Sequence, residues 1–267
     1  MQSSGMSVVA TGRNPSDTSA IRAADVGCAF GRNSSSVARS VADVIIEDDS
    51  FLSLVTLIRG GHNIFENIRS AIHSALCCSL SLVIAEFIGF FIWHTALLNP
   101  EQLLASAMII NLLPCIAFAF EPYSALNKIR RHKRIDDYFD GGRGLEIIWN
   151  GLMLGIMIMV AYAFGSSVGS TLASTMAFVT AITVNTMFTL SLRSRSSVFK
   201  VGLFSNLLSI ASVCFTLAFM LLVLFIPNIG LSSITTNQLI VIIILAVIAP
   251  VAGEIGKIIK MNFNKEK

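Results

Sequence analysis

Charged residues are scarce in this chain. Asp, Glu, Lys and Arg make up 13% of its 267 residues, whereas hydrophobic residues make up 54% and the mean hydropathy is +0.74. Since soluble domains carry about 25% charged residues, this deficit indicates several membrane-spanning segments. No basic stripe with interleaved aromatic residues is present, which argues against nucleic-acid binding. Residues 1–20 are polar and lack the apolar core of a secretory signal peptide.

Cysteine spacing of the zinc-binding type is also missing. Four of the five cysteines lie in apolar segments, where a small buried apolar side chain is the favoured interpretation. A soft-metal site that pairs Cys77 or Cys78 with Cys115 is the alternative. We expect no metal site from this set. The five residues are Cys28, Cys77, Cys78, Cys115 and Cys214.

Long apolar runs dominate the rest of the chain. A helix needs about 20 apolar residues to cross a bilayer. Six runs meet this requirement, at 71–94, 102–120, 145–164, 172–192, 203–226 and 238–258. We therefore predict a mostly α-helical fold, with a bundle of six transmembrane helices over residues 71–260 and a short tail over 261–267.

Positive charge is absent from alternate loops. The segments 95–101, 165–171 and 227–237 contain no Lys or Arg, and all 19 of these residues lie elsewhere. Because short loops rich in Lys and Arg stay in the cytoplasm, we predict that both termini are cytoplasmic. The basic run 128–134 then lies near anionic lipid heads. We expect an integral multi-pass protein of the plasma membrane, with the lipid bilayer as its first partner.

The first 50 residues are more polar and alternate between short strands and short helices. We predict strands at 7–10, 26–30 and 44–46, and helices at 16–24 and 34–40. This order is typical of a Rossmann-like α/β domain. Fifty residues are too few to cover both faces of a parallel sheet, so residues 1–50 are predicted to be a partial domain.

Residues 51–70 have a helical period and are predicted to form an amphipathic stalk helix that continues into the first span. We expect a bend or a close helix contact at Gly60-Gly61, because each glycine weakens a helix by about 1 kcal/mol relative to alanine. The apolar face of the stalk is formed by Leu54, Leu57, Ile58, Phe65 and Ile68.

Residues 9–31 carry a recognisable motif. The segment resembles the hinge of P-type cation-transporting ATPases, T-G-D-G-x-N-D-x-x-A-L followed by K-x-A-D-x-G-I-A-M-G. Arg13 stands where that family has its magnesium-binding Asp, and Ser16 where it has Asn. The framework positions match at Thr11, Gly12, Asp17, Ala20, Ala24, Asp25, Gly27, Ala29 and Gly31.

Further motifs extend the resemblance to the calcium-pump class of this family over nearly the whole chain. They lie at 41–51, 59–69, 100–104, 111–114 and 120–122. The resemblance implies that the six spans correspond to the last six of a pump. It also implies that residues 1–50 are part of a phosphorylation domain of the haloacid-dehalogenase type.

Several motifs of a complete pump do not occur in this sequence. The phosphorylated Asp of D-K-T-G-T, the ATP-binding region and the T-G-E-S actuator loop are absent. The family uses ATP and Mg²⁺, but we expect no cofactor for this chain alone. The resemblance thus implies the C-terminal portion of a pump that is catalytically inactive by itself.

The hinge positions are expected to be vestigial, with no catalytic residue. Arg13 brings a cation to a magnesium position, so magnesium binding is expected to be lost. Ser16 or Asp17 is interpreted as a helix-start residue. For Asp17 the alternative is a remnant of a phosphate site. Arg13 could instead pair with an acidic group or a phosphate supplied by another chain.

The resemblance also locates the family's cation ligands in the membrane, where no carboxylate is kept. The corresponding positions are Ser79, Leu82, Ala107, Ile110, Asn111 and Asn185. Calcium takes about 6 to 8 oxygen ligands, usually with several carboxylates, so we predict no high-affinity calcium site. Ser79, Asn111, Asn185 and the intramembrane acid Glu86 are the cation-path candidates. The alternative for Glu86 is a protonated carboxyl group bonded to a neighbouring helix. The alternative for Asn111 and Asn185 is that they form hydrogen bonds between helices.

Three functions are compatible with these observations. The first is the C-terminal membrane portion, or a degenerate homologue, of a P-type cation pump. The second is one half of a split pump that a separate chain completes, because the exposed strand edges of a partial sheet need cover. The third is a non-enzymatic membrane module that modulates an intact pump or another transporter.

Overall fold

The computed structural model describes residues 2, 6–121, 143–192, 207–225 and 231–263. The chain divides into two compact units, Met1–His62 and Asn63–Lys267. The described residues are mostly helical, with one three-stranded parallel sheet in the first unit. The basic run 128–134 and most of the tail 261–267, on which the sequence makes predictions, lie outside the described residues.

The first unit is built on a parallel sheet of order β1-β2-β3. The strands are β1 (Val9–Gly12), β2 (Val26–Phe30) and β3 (Val44–Ile46), and the crossover helices are α1 (Thr18–Ala23) and α2 (Ser36–Val41). The predicted bounds of β2 and β3 are confirmed, whereas β1 begins two residues later than predicted. Helix α2 also begins later, because the Ser35 hydroxyl accepts a hydrogen bond from the Ala38 amide (3.1 Å) and caps the helix there.

Two aspartates of the family framework fasten this sheet. The Asp25 carboxylate accepts a hydrogen bond from the Val8 amide (2.8 Å), just before β1. The Asp43 carboxylate accepts from the Gly27 amide (2.8 Å), and the Asp43 amide donates to the Gly27 carbonyl (2.9 Å). Both side chains therefore satisfy backbone groups at strand ends, which is a structural role for these acids.

A single helix of 43 residues, α3 (Phe51–Trp93), follows the sheet. Leu54 is buried with Cys28 and Ile46 in the core of the first unit. The other residues of the predicted apolar face are less covered, and Leu57 and Ile68 are 52% and 53% exposed. An added Cβ at Gly60 or Gly61 would meet nothing within 4 Å. The predicted close helix contact is therefore not found at this pair, and α3 runs through it without interruption.

The described residues of the second unit contain the apolar part of α3 and five further helices. They are α4 (Pro100–Ala119), α5 (Arg143–Ser166), α6 (Ser170–Leu192), α7 (Leu207–Phe225) and α8 (Thr236–Phe263). By length and composition, α3, α4, α5, α6 and the Thr236–Glu254 part of α8 can cross a membrane. Helix α7 lies within the predicted span 203–226, of which residues 203–206 and 226 are outside the described residues.

Helix α6 is the most enclosed of these five helices. In its apolar stretch of 18 residues 83% are buried, against 17–44% in the other four. Its buried hydroxyl groups donate to carbonyls of the preceding turn, as in Thr183 to Val179 (2.7 Å) and Ser191 to Phe188 (2.7 Å). Because most of these donors have partners, α6 can be both polar in sequence and buried in an apolar bundle, although the Thr180 hydroxyl has no partner among the described residues.

Helices α3 and α5 approach closely at a pair of glycines, Gly151 and Gly155. An added Cβ at Gly155 would lie 3.0 Å from the Ser81 carbonyl oxygen, and one at Gly151 would lie 2.9 Å from the Leu80 side chain. The spacing is that of the G-x-x-x-G pattern, which lets helix backbones pack closely where lipid replaces water. The sequence analysis did not single out this pattern, although the sequence 151–155 contains it.

Substitution of Gly155 tests this contact, with Gly61 as a matched control. Gly155→Leu is expected to destabilise the second unit by about 1–3 kcal/mol, because the new side chain overlaps the α3 backbone. Gly61→Ala is expected to be neutral or stabilising by up to about 1 kcal/mol, because it improves helix propensity in open space. Thermal unfolding in detergent measures both, and an equal response of the two variants would contradict the packing.

Candidate functional site

The hinge-like loop follows β1 and is organised by the Asp17 carboxylate. One carboxylate oxygen accepts hydrogen bonds from the backbone amides of Arg13 (3.0 Å) and Asn14 (2.9 Å). The other lies 3.4 Å from the Ser16 hydroxyl. A Cβ at Gly12 would lie 2.5 Å from the Asp17 Cβ, so only glycine fits beside this carboxylate. Asp17 thus closes the turn between β1 and α1.

These amides also affect the acidity of Asp17. The hydrogen bonds from the Asn14 and Arg13 amides stabilise the ionised form and hold the pKa of the Asp17 carboxyl below its ordinary value. Asp17 is the N-cap residue of α1, as the sequence predicts, but its side chain makes no cap hydrogen bond to that helix. Its carboxylate binds the turn that precedes α1 and already has amide donors on the oxygen nearest Arg13.

The Arg13 side chain occupies the position next to this turn. Its guanidinium carbon lies 4.7 Å from the centre of the Phe30 ring, and a terminal nitrogen donates to the Asp49 carbonyl (3.4 Å). A cation over an aromatic face is a favourable contact. Arg13 therefore places a positive charge between the ends of β1 and β2 and the segment after β3.

Two further acids, Asp48 and Asp49, lie before α3 and are also bonded within the fold. The Asp48 carboxylate accepts from the Ser53 hydroxyl and from the Ser50 amide (3.3 Å), and the Ser53 bond is the main cause that lowers the pKa of Asp48. The Asp49 carboxylate accepts from the Arg32 amide (3.3 Å). Asp48 therefore ties the start of α3 through the Ser53 side chain, and Asp49 holds the loop that follows β2. In the described part of the chain, no group of three or more His, Cys, Asp or Glu could hold a metal ion.

In the second unit, Ser79 of α3 meets Asn111 of α4. The Asn111 amide nitrogen donates to the Ser79 hydroxyl (3.2 Å) and to the Ala107 carbonyl (2.9 Å). The structure thus brings two of the four cation-path candidates together. Both are neutral, and the contact is an interhelical hydrogen bond of the type that holds apolar helices together.

A third candidate, Asn185 of α6, is paired with Ser81 of α3. The Ser81 hydroxyl lies 3.1 Å from the Asn185 side-chain oxygen and 2.7 Å from the Cys78 carbonyl, and the Asn185 nitrogen donates to the Ala181 carbonyl (2.8 Å). Ser81 and Asn185 are both fully buried. The sequence analysis did not single out Ser81. A serine within an apolar span is the sequence feature that could have indicated this contact.

The fourth candidate, Glu86, lies apart from these pairs. Its two carboxylate oxygens accept hydrogen bonds from the backbone amides of Leu98 (2.8 Å) and Leu97 (3.2 Å), in the loop between α3 and α4. Three of the four candidates therefore lie in two neutral pairs, one of which is completed by Ser81, and Glu86 makes a carboxylate–loop contact.

A polar contact joins α3 to a residue just after α4. The side-chain amides of Asn63 and Asn67 both donate to the Glu121 carbonyl, at 3.1 Å and 3.0 Å. The two asparagines are one helical turn apart, so they face the same carbonyl. This contact joins the stalk motif at 59–69 to the motif at 120–122, close to the end of α4.

The cysteines of the soft-metal alternative are packed into apolar surroundings. Cys77 and Cys78 are fully buried, and they belong to two different core clusters of the second unit. Cys115 is half-buried on α4. These environments agree with the interpretation of the thiols as small apolar side chains.

Acid titration tests the role of Asp17 in the loop. Because its folded-state pKa lies below the unfolded value, about 3.9, the ionised carboxylate stabilises the folded state fully above about pH 5, and this contribution is lost as the pH falls through the lower folded-state pKa. The difference in unfolding free energy between the wild type and Asp17→Asn should therefore be constant above about pH 5 and shrink below it.

Urea unfolding of the first unit between pH 2 and 7 gives this difference. Glu47→Gln, which changes an exposed acid of the same unit, serves as the control and should leave the profile unchanged. A wild-type-to-Asp17→Asn difference that does not vary with pH would contradict the assigned hydrogen bonds.

Comparison with known proteins places these observations in a family. The family model described as "Cation transporting ATPase, C-terminus" matches residues 95–259, more than half of the chain. Calcium-transporting ATPase 1 of Bacillus cereus is 27% identical over 287 residues, which cover 98% of this chain and 32% of that protein. A calcium-transporting ATPase of Listeria monocytogenes is 29% identical over 220 residues, covering 81% and 25%.

Relatives also occur outside bacteria. The putative plasma-membrane-type calcium-transporting ATPase 7 of Arabidopsis thaliana is 31% identical over 157 residues, covering 59% of this chain and 15% of that protein. The chain spans about a quarter to a third of the length of the bacterial relatives that match most of it. With its apolar helices, it is a multi-pass membrane protein. The chain belongs to the P-type cation-transporting ATPases and corresponds to their C-terminal region.

Proposed function

We propose that this chain is the C-terminal membrane portion of a P-type cation pump and that it does not catalyse phosphoryl transfer by itself. Arg13 is the observation that carries the proposal. Its guanidinium lies on the Phe30 ring and bonds the Asp49 carbonyl, at the position of the family's magnesium-binding Asp. The residues of this loop do not fit Mg²⁺, which requires oxygen ligands and negative charge.

The neighbouring acids do not compensate for Arg13. Asp17 and Asp48 accept hydrogen bonds from backbone amides of their own loops, and Asp49 accepts one from the Arg32 amide in the loop after β2. A metal ion would have to compete with these donors and with the positive charge of Arg13. Ser16 and Asp17 are therefore proposed to be vestigial hinge positions that keep the shape of the loop.

In the membrane helices we propose a path lined by neutral oxygen atoms without a high-affinity calcium site. Ser79 with Asn111, and Asn185 with Ser81, provide hydroxyl and amide oxygens. Leu82 and Ile110, at ligand positions of the family, are buried apolar side chains. Calcium binding usually needs several carboxylates to offset the loss of water, and neither pair contains one.

The proposed topology has six spans with both termini in the cytoplasm of a plasma-membrane protein. Helix α7 supplies the sixth span beside the five helices of sufficient length. Residues 1–50 form a partial phosphorylation-domain-like segment, 51–70 a stalk helix, 71–260 the membrane domain and 261–267 a tail. The absence of Lys and Arg from 95–101, 165–171 and 227–237 supports this orientation.

The alternative is a non-enzymatic module that completes or modulates a separate pump or another transporter. The described sheet favours it, since β1 and β3 are both edge strands of only three and parallel sheets are normally covered on both faces. Val9 and Ile45, on these edge strands, are 41% and 47% exposed. A partner that extends the sheet would cover them.

An ATP-phosphorylation assay tests the main proposal. The purified chain with Mg²⁺ and labelled ATP is expected to form no acyl-phosphate, whereas a full-length P-type pump does so under the same conditions. A stable, hydroxylamine-sensitive phosphoprotein would overturn the proposal.

A second experiment distinguishes the alternative from the main proposal. It identifies the chains that co-purify with this one from native membranes. The alternative predicts a stoichiometric pump or transporter subunit among them.

The effect of Arg13 can be measured separately with Mn²⁺ as a spectroscopic substitute for Mg²⁺. Arg13→Asp should bind Mn²⁺ about tenfold or more tightly than the control Arg13→Asn, because a carboxylate is added beside Asp17 and Asp49. The wild type should bind more weakly than both variants. Electron paramagnetic resonance titration gives the affinities, and wild-type binding as tight as that of Arg13→Asp would contradict the assignment.

A further inference from the structure

The loop between α3 and α4, residues 94–99, is fastened to the end of the helix bundle. Both carboxylate oxygens of Glu86 accept hydrogen bonds from it, one from the Leu98 amide (2.8 Å) and the other from the Leu97 amide (3.2 Å). Hydrogen bonds from backbone amides to a carboxylate are stronger than those to a neutral oxygen. Leu97 and Leu98 are themselves buried, at 0% and 3% exposure.

The loop is also tied to α5. The Thr95 hydroxyl lies 3.2 Å from the Tyr162 hydroxyl, and the Trp93 ring meets the Tyr162 ring edge to face with centres 5.0 Å apart. Tyr162 is buried in the main core cluster of the second unit, together with Leu97 and Leu98. The aromatic pair therefore continues the core up to the loop.

A third tie joins the loop to α6 through Gln102. The side-chain oxygen of Gln102 accepts from the Asn99 amide (3.2 Å) and from the Ser174 hydroxyl (2.6 Å). At the same end, the Ser232 amide donates to the Thr175 hydroxyl of α6 (3.1 Å). Loops from two parts of the chain are thus bonded to the beginning of α6.

We propose that Glu86 is a positioning residue that holds the loop 94–99 closed over this end of the bundle. In this closed state its carboxylate is a loop anchor rather than a cation ligand, and the loop covers the end of the bundle that buries the Ser81–Asn185 pair. The assignment rests on the geometry of the second unit alone and holds whether or not the chain transports an ion.

The carboxylate is needed for chemical reasons. Two consecutive amides point at two oxygen atoms, and a glutamine offers only one acceptor and adds an NH₂ group that cannot accept from an N–H. Glu86→Gln therefore leaves one amide without its partner, and Glu86→Ala leaves both. A buried amide without a partner destabilises the closed state, so both substitutions favour the open loop.

Site-specific thiol labelling tests the proposal in the full chain in detergent micelles. One reporter is Leu98→Cys, with the native cysteines replaced by alanine or serine, and the other is the native Cys77 as the single thiol. Cys77 is fully buried in a different cluster, with Ile147 and Phe188. It reports general loosening, whereas Leu98→Cys reports opening of the loop.

Glu86→Gln and Glu86→Ala are expected to raise the labelling rate at Leu98→Cys about tenfold or more and to leave the rate at Cys77 unchanged. Glu101→Gln is the matched control, because Glu101 is an exposed acid in the first turn of α4. It should change neither rate. An unchanged rate at Leu98→Cys in both Glu86 variants, or an equal rise at both reporters, would overturn the proposal.

Hydrogen exchange provides a second measurement that needs no substitution. In the wild-type chain, the amides of Leu97 and Leu98 should exchange slowly, although they lie in a loop, because both donate to Glu86. Exchange at the rate of an unstructured peptide would overturn the proposal even if the Glu86 variants failed to fold.

Discussion

The structure depends on one constraint, which is that polar groups within apolar helices must find partners inside the protein. Helix α6 shows it most clearly. It is the most enclosed of the five helices that can cross a membrane, and hydroxyl groups such as those of Thr183 and Ser191 bond the carbonyls of the preceding turn. Where a polar side chain reaches a neighbour, as Asn185 reaches Ser81 and Asn111 reaches Ser79, the contact joins two helices. The glycine pair 151 and 155 lets α5 and α3 approach closely enough to complete this packing.

The same principle explains the loop of the first unit. Three of its aspartates satisfy backbone groups: Asp17 bonds the turn after β1, and Asp25 and Asp43 bond strand ends. Such roles need no metal ion and no phosphate. Arg13 makes equally local contacts, with the Phe30 ring and the Asp49 carbonyl. In the proposed function, both the loop and the membrane helices keep their shape while the ligand groups that the resemblance implies are replaced.

Much of this fold could be predicted from local patterns, whereas contacts between distant residues could not. Strands β2 and β3 and most helix bounds follow from short apolar runs, capping residues and the length of apolar segments. Helix α3 was predicted to continue from the stalk into the first span, but the predicted helix contact at Gly60 and Gly61 is not found. The close contact is at Gly155 instead, because a neighbouring helix lies there. Two further contacts could not be predicted for the same reason. Ser81 bonds Asn185, which lies 104 residues away in the sequence, and Glu86 bonds amides that lie 11 and 12 residues away.

The central claim is that the polar pairs Ser79–Asn111 and Ser81–Asn185 are neutral structural contacts and do not form a high-affinity cation site. Equilibrium binding of radioactive calcium to the purified chain in lipid nanodiscs tests this most directly. The account predicts no saturable binding at micromolar calcium, and no difference between the wild type and Asn111→Ala or Asn185→Ala. Saturable micromolar binding that either substitution abolishes would contradict it.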